Sequence, residues 1–154
     1  MQEDNKAKYM LSKHMLNLWG KAIQICEERN ERIEELRQLC KDTGDIQSLR
    51  PKETPSKRNF SSRIENSIIK TIEVYEKTII KLENDVEETL KIKASMDSWI
   101  SFQEREEQQI LTLRYCDGLS WDYIPDVVHR SRMQCFRIHN KALDKLSKDR
   151  PWAS

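Results

Sequence analysis

The sequence predicts an all-α protein, and three observations carry that prediction. Glycine and proline are scarce, 3 and 4 residues in 154, while charged residues make up 34% and the apolar set only 37%. That balance suits long, charge-laced helices better than a β-rich fold. The apolar residues are periodic at helical spacing, which separates the chain from a charged disordered one. Helix-start patterns, a serine with Glu or Gln three residues on, recur at Ser62-Glu65, Ser101-Glu104 and Ser131-Gln134.

The first helix is expected from about Asn5 to Asp42. Met15, Trp19, Ala22, Cys26, Ile33, Leu36 and Cys40 step by fours and threes, with Arg29 as the polar intruder. Such a stripe marks one buried helix face. Gly44 is read as its C-terminal cap, because glycine takes positive φ at little cost. A basic connection follows, with Pro51, Pro55, Arg50, Lys52, Lys57 and Arg58. The second long helix starts near Ser62 and runs to about Ser98, striped by Ile68, Ile72, Tyr75, Ile79, Leu82, Val86, Met96 and Ile100, with Thr89 and Lys93 as weak slots. Two striped helices bury their stripes as an antiparallel, coiled-coil-like hairpin, or pair between chains in a homodimer; the pattern leaves both open. Residues 1–100 are thus expected as a long helical hairpin with its linker at about 43–60, and 101–154 as a separate domain.

That last stretch reads as three shorter helical pieces. Glu104–Cys116 places Ile110, Leu111, Leu113 and Tyr115 inward and ends at Asp117-Gly118. Ser120 is the expected cap of a short helix, Trp121–Val128. His129-Arg130 makes the turn, and Ser131 caps a helix to about Ser147 with Cys135, Ile138, Ala142 and Leu146 inward. A short helix, a tight turn and a helix with polar residues near its start is a helix-turn-helix, which lays its second helix in the major groove of DNA. With that inward set, Arg132, Met133, Gln134 and Arg137 fall on or beside the outer face. Arg donates in a bidentate way to guanine and Gln pairs with adenine. Arg130, Lys141 and Lys145 are placed for phosphates, which fix register and carry no sequence information.

Charge supports this placement. Net charge is +1, yet residues 129–150 hold Arg130, Arg132, Arg137, Lys141, Lys145, Lys148 and Arg150 against Asp144 and Asp149. A basic end behind an acidic middle is a local electrostatic footprint that the whole-chain balance hides.

The run from Gln109 to Ile124 (QILTLRYCDGLSWDYI), then Ser131-Arg132, then Arg137 to Leu143 (RIHNKAL), resembles region 4 of sigma-70-type factors. It is more similar to the sigma-region-4-like regulators of phages and prophages, including the RinA/ArpU group. The resemblance spans about 45 residues. It implies base reading by Arg132, Met133, Gln134, Phe136 and Arg137, and backbone contact by Arg114 with Lys141. It implies packing roles for Trp121, Ile124, Val128, Cys135, Ile138 and Leu143. Two positions depart from the family pattern. Pro125 stands where alanine is usual and removes an amide donor. His129 replaces the glycine of the turn, so a non-glycine residue is expected at positive φ. A complete sigma factor is disfavoured, because residues 1–100 show a charged heptad pattern where a polymerase-gripping, promoter-melting region would stand.

Other classes find little support. His14, His129 and His139 are scattered and read as surface or partly packed residues; no P-loop, GxGxxG or metal signature is present, so neither an enzyme nor a cofactor is expected. Glu104, Glu106 and Glu107 read as dipole-compensating residues of a first helical turn. Cys26, Cys40, Cys116 and Cys135 lack zinc-ligand spacing and read as helix-buried, reduced thiols. No apolar run or leader pattern appears, so a cytoplasmic location without membrane partner or small-molecule substrate is expected. The expected partners are double-stranded DNA, with RNA polymerase as a further candidate and a homodimer through the long helices. Two alternatives stand beside a transcriptional regulator: a DNA-recognition or packaging component of small-terminase type, and a coiled-coil adaptor without DNA binding.

Overall fold

The computed structural model describes residues 2–48 and 58–153. Every element in it is helical: α1 (Gln2–Ser48), α2 (Arg58–Ser101), α3 (Arg105–Leu111), a π turn (Thr112–Cys116), α4 (Ile124–Val128), α5 (Arg132–Asp149) and a closing 3-10 turn (Pro151–Ala153). No strand occurs among the described residues, and no helix among them is long and apolar enough to cross a membrane.

The two long helices pack antiparallel within one chain. Trp19 of α1 meets Asp97 of α2, Arg29 meets Asp85 and Arg37 meets Glu83, so partners fall on α2 as numbers rise on α1. The stripes are what they bury. Met15, Trp19, Ala22, Cys26, Ile33 and Leu36 are buried on α1, and Ile68, Ile79, Thr89, Met96 and Ile100 on α2. Each fully buried aliphatic side chain stabilises by about 1.5–3 kcal/mol. The exposed ion pairs along the rim contribute about 0–1 kcal/mol each. The stripes therefore hold the pair, and the charges tune it.

Both helices extend beyond their expected ends. Gly44 lies inside α1, which continues to Ser48. One interior glycine costs about 1 kcal/mol, too little by itself to stop a helix. Ser62 lies inside α2, which begins at Arg58. Ser101 ends α2 with its hydroxyl donating to the Ser98 carbonyl at 2.6 Å. The next helix is preceded by Glu104, without a side-chain cap. The ends of the expected connection at about 43–60 are helical, 43–48 in α1 and 58–60 in α2; its residues 49–57 lie outside the described residues.

Two compact units emerge from the packing: residues 26–87, and residues 1–25 together with 88–154. In the first, Ile33, Leu36 and Ile79 form the core, flanked by Cys40, Tyr75 and Leu82. The second takes residues from both sides of position 100. Leu16 and Trp19 of α1 and Met96, Trp99 and Ile100 of α2 pack with Leu111, Tyr115, Ala142, Leu143 and Leu146. Tyr9, Ile92 and Trp152 cover this core, so the C-terminal tryptophan folds back. Two indole N–H groups are satisfied by carboxylates, Trp19 by Asp97 at 2.7 Å and Trp99 by Asp149 at 2.9 Å. Gly20 sets the closest approach. A Cβ built there would lie 1.9 Å from the Tyr115 carbonyl oxygen, so the backbones of α1 and the π turn touch.

Candidate nucleic-acid interface

A smaller cluster joins α3, α4 and α5: buried Ile110, Ile124 and Cys135, with Leu113, Leu119, Trp121, Val128 and Ile138 against them. The chain reaches it through the π turn, where the Asp117 N–H bonds the Thr112 carbonyl at 3.0 Å, and through Gly118 at φ +69°. Short π segments of this kind are rare and occur often at functional sites.

The α4–α5 joint follows from local chemistry. Pro125 falls in the first turn of α4, where the missing N–H has no intrahelical partner to lose. The expected Ser120 side-chain cap is absent: its buried hydroxyl has no partner among the described residues. Its carbonyl instead accepts from Tyr123 and Ile124 at 3.1 and 3.2 Å. His129 closes α4 in the left-handed region, at φ 57° and ψ 43°, a conformation that histidine tolerates better than β-branched residues. Ser131 then opens α5 with a complete capping box. Its hydroxyl accepts the Gln134 N–H at 3.2 Å, and the Gln134 side-chain oxygen accepts the Ser131 N–H at 3.0 Å.

At 100° per residue, α5 divides cleanly. Cys135, His139, Ala142, Leu143 and Leu146 are buried, while Met133, Arg137, Asn140, Lys141, Asp144 and Lys148 are exposed. Among the expected base readers, Met133 is 65% exposed and Arg137 has no hydrogen-bond or ion-pair partner among the described residues. Arg132, with a side chain 62% exposed, makes an ion pair with Asp122 at 3.2 Å and leans over the Phe136 ring. Gln134 is exposed, but its carbonyl oxygen is engaged in the cap. Phe136 is half-buried and packs on Trp121, with ring centroids 4.7 Å apart.

The expected phosphate contacts are mostly paired within the chain. Arg130 pairs with Glu106, Lys141 with Glu104 at 3.6 Å, and Lys145 with Glu107 at 2.9 Å. Arg114 donates to the Leu119 carbonyl at 3.1 Å and stacks over Trp121. These ties differ in kind. Both partners of Arg130–Glu106 and Lys141–Glu104 are exposed, so exchanging the carboxylate for a phosphate costs about 1 kcal/mol or less. Glu107 is only 1% exposed; Lys145 is its close partner and Lys141 lies at 3.9 Å, so removing Lys145 would leave a buried charge poorly compensated. Lys145 is thereby a tie between α3 and α5.

Two features of the site were not visible in the sequence. Glu107 is buried, not merely a first-turn acid. His139 is buried as well, with its Nε2 2.7 Å from the Tyr115 hydroxyl. Burial, aided by the Lys13 charge, pushes the His139 pKa down to about 4, so the ring is neutral near pH 7. Both contacts join residues far apart in the chain, and neither has a local sequence signal. The four cysteines are unpaired; Cys26 and Cys135 are buried as expected, but Cys116 is exposed. Among the described residues no group of His, Cys, Asp and Glu could hold a metal ion.

The described residues form an all-helical fold that presents a mainly basic, partly solvent-facing helix after a tight, capped turn. No family model, curated protein or solved structure matches the chain.

Proposed function

We propose that the chain is a sequence-specific double-stranded DNA-binding transcriptional regulator of phage or prophage type. In this reading α4, the His129-Arg130 turn and α5 form a sigma-region-4-like helix-turn-helix, with α5 in the major groove. One observation carries it: a capping box starts α5 directly after a tight turn and leaves Arg132, Met133 and Arg137 exposed opposite a fully buried face. Arg132 and Arg137 supply base discrimination. Gln134 contributes less, because with its oxygen engaged it keeps only a donor and cannot pair with adenine in the bidentate way. Arg130 and Lys141 trade their carboxylates for phosphates, and Arg114, over Trp121, is the further backbone-contact residue. The regulator acts in the cytoplasm. RNA polymerase is a candidate partner. Exposed Ile69, Val74 and Ile80 on α2 favour self-association through the long helices.

Selection of bound duplexes from a random pool at low salt tests this reading. An enriched motif is expected, bound less tightly as salt rises. On the selected duplex Arg132→Ala and Arg137→Ala should each lose about 1–3 kcal/mol of binding while folding normally. Full affinity in both variants would remove α5 from the interface. A second reading, a protein-binding adaptor, draws on the acids that already neutralise Arg130, Lys141 and Lys145; salt-insensitive association without any enriched motif would favour it.

A further inference from the structure

Beside the exposed face of α5 the same unit forms a concave pocket of about 350 Å³, lined by α1, the π turn and α5. Its charged lining is positive: Lys13, Lys21 and Arg114, with no Asp or Glu among the lining residues. Lys13 and Lys21 are exposed, and neither has an ion-pair partner among the described residues. They lie two turns apart on one face of α1, about 12 Å along the axis, with Asn17 between them. Phe136 and Asn140 of α5 form the opposite wall. The contrast with the other flank of α5 is chemical. There Arg130, Lys141 and Lys145 face Glu104, Glu106 or Glu107; here the lining holds three cations and no carboxylate. Like charges collected in a concavity focus a positive potential and select an anion. Planar aromatic walls and amide donors suit an oxyanion carried on a larger group.

We propose that this pocket takes a backbone phosphate of the DNA strand flanking α5, which makes Lys13 and Lys21 of the long helix phosphate-contact residues. The proposal rests on the DNA-binding reading and extends the interface to a helix more than a hundred residues away in sequence. It assigns these lysines affinity without sequence preference.

The test is the salt dependence of binding by the full chain, wild type against Lys13→Gln with Lys21→Gln, on the selected duplex and on a scrambled one. Each phosphate contact contributes about 0.9 to the slope of log affinity against log salt. The double variant should lower the slope by about 0.9, the share of that one phosphate, weaken both duplexes alike and leave their ratio unchanged. Arg137→Ala should instead change that ratio. Salt-dependent DNA binding with an unaltered slope in the double variant overturns this proposal alone. Absence of DNA binding by the wild type overturns it together with the functional reading. Titrations with inorganic phosphate and with ATP, followed by tryptophan fluorescence, address the other source of phosphate. Saturable quenching that the double variant abolishes, with its DNA slope unchanged, would assign the pocket to a free phosphate compound and overturn the DNA source.

Discussion

Gly20→Ala is expected to destabilise the protein by about 2–3 kcal/mol or more, against the usual sign for such a change. In the interior of a helix, alanine is favoured over glycine by about 1 kcal/mol. Here the added methyl would lie 1.9 Å from the Tyr115 carbonyl oxygen and 2.5 Å from its carbon. Both are backbone atoms, held by the π turn and by the packing of Tyr115, so no flexible side chain can give way. Relief requires α1 and the π turn to separate by about an ångström. Leu16 and Trp19 would then loosen against Leu111 and Tyr115, and close-packed interiors tolerate such shifts poorly. Gly44 in the same helix supplies the control. Nothing lies within 4 Å of a Cβ there, so Gly44→Ala should stabilise by up to about 1 kcal/mol. Urea unfolding followed by far-ultraviolet circular dichroism reads both. Equal effects, or a stabilised Gly20→Ala, would show that the close approach is not present in solution.

The second large effect is on acid stability. His139 titrates near 6.5 when unfolded and at about 4 when folded, because burial and then the Lys13 charge disfavour the imidazolium. The folded pKa is depressed, so between these values the unfolded chain binds the proton and the folded chain does not. The stability this neutral ring confers is complete above about pH 6.5 and is lost as pH falls toward 4. Linkage puts the loss at about 2 kcal/mol between pH 6.5 and 5, out of about 3 in total. Most carboxylates titrate below that window, which isolates the histidine. His139→Gln should flatten the profile between pH 6.5 and 5 in denaturant titrations. An unchanged slope would mean that some other group carries the linkage.

Features that depend on neighbours in sequence were legible in advance. The apolar stripes on α1 and α2 are single-helix patterns, and both are buried as their spacing predicts. The Ser131–Gln134 capping box, the placement of Pro125 in a first turn and the positive φ of His129 follow from a few adjacent residues. The same local rule failed at Ser62 and Ser101. In a chain this rich in glutamate the serine-to-glutamate spacing recurs inside helices, where the hydroxyl bonds a preceding carbonyl, as Ser101 does with Ser98. Gly44 misled for a related reason, since an interior glycine lowers helix stability without ending the helix. What sequence could not show are the contacts that span it: Glu107 with Lys145, Tyr115 with His139, and Lys13 and Lys21 beside Arg114. No periodicity encodes these pairings, because they depend on how α3, the π turn and α1 each pack beside α5.

On the DNA-binding reading, the ion pairs of Arg130 with Glu106 and Lys141 with Glu104 bear on the search for a target. A fully bare basic helix would cling to any duplex, since phosphate neutralisation is indifferent to sequence. Here every encounter, cognate or not, must first displace a carboxylate, so residence on random DNA shortens by the same factor as residence at the right site. A genome offers millions of decoys, and shorter stops on each speed the search while the ratio of affinities stays with the base contacts. The acidic first turn of α3 would then act as an internal competitor that keeps the protein moving until Arg132 and Arg137 find their bases.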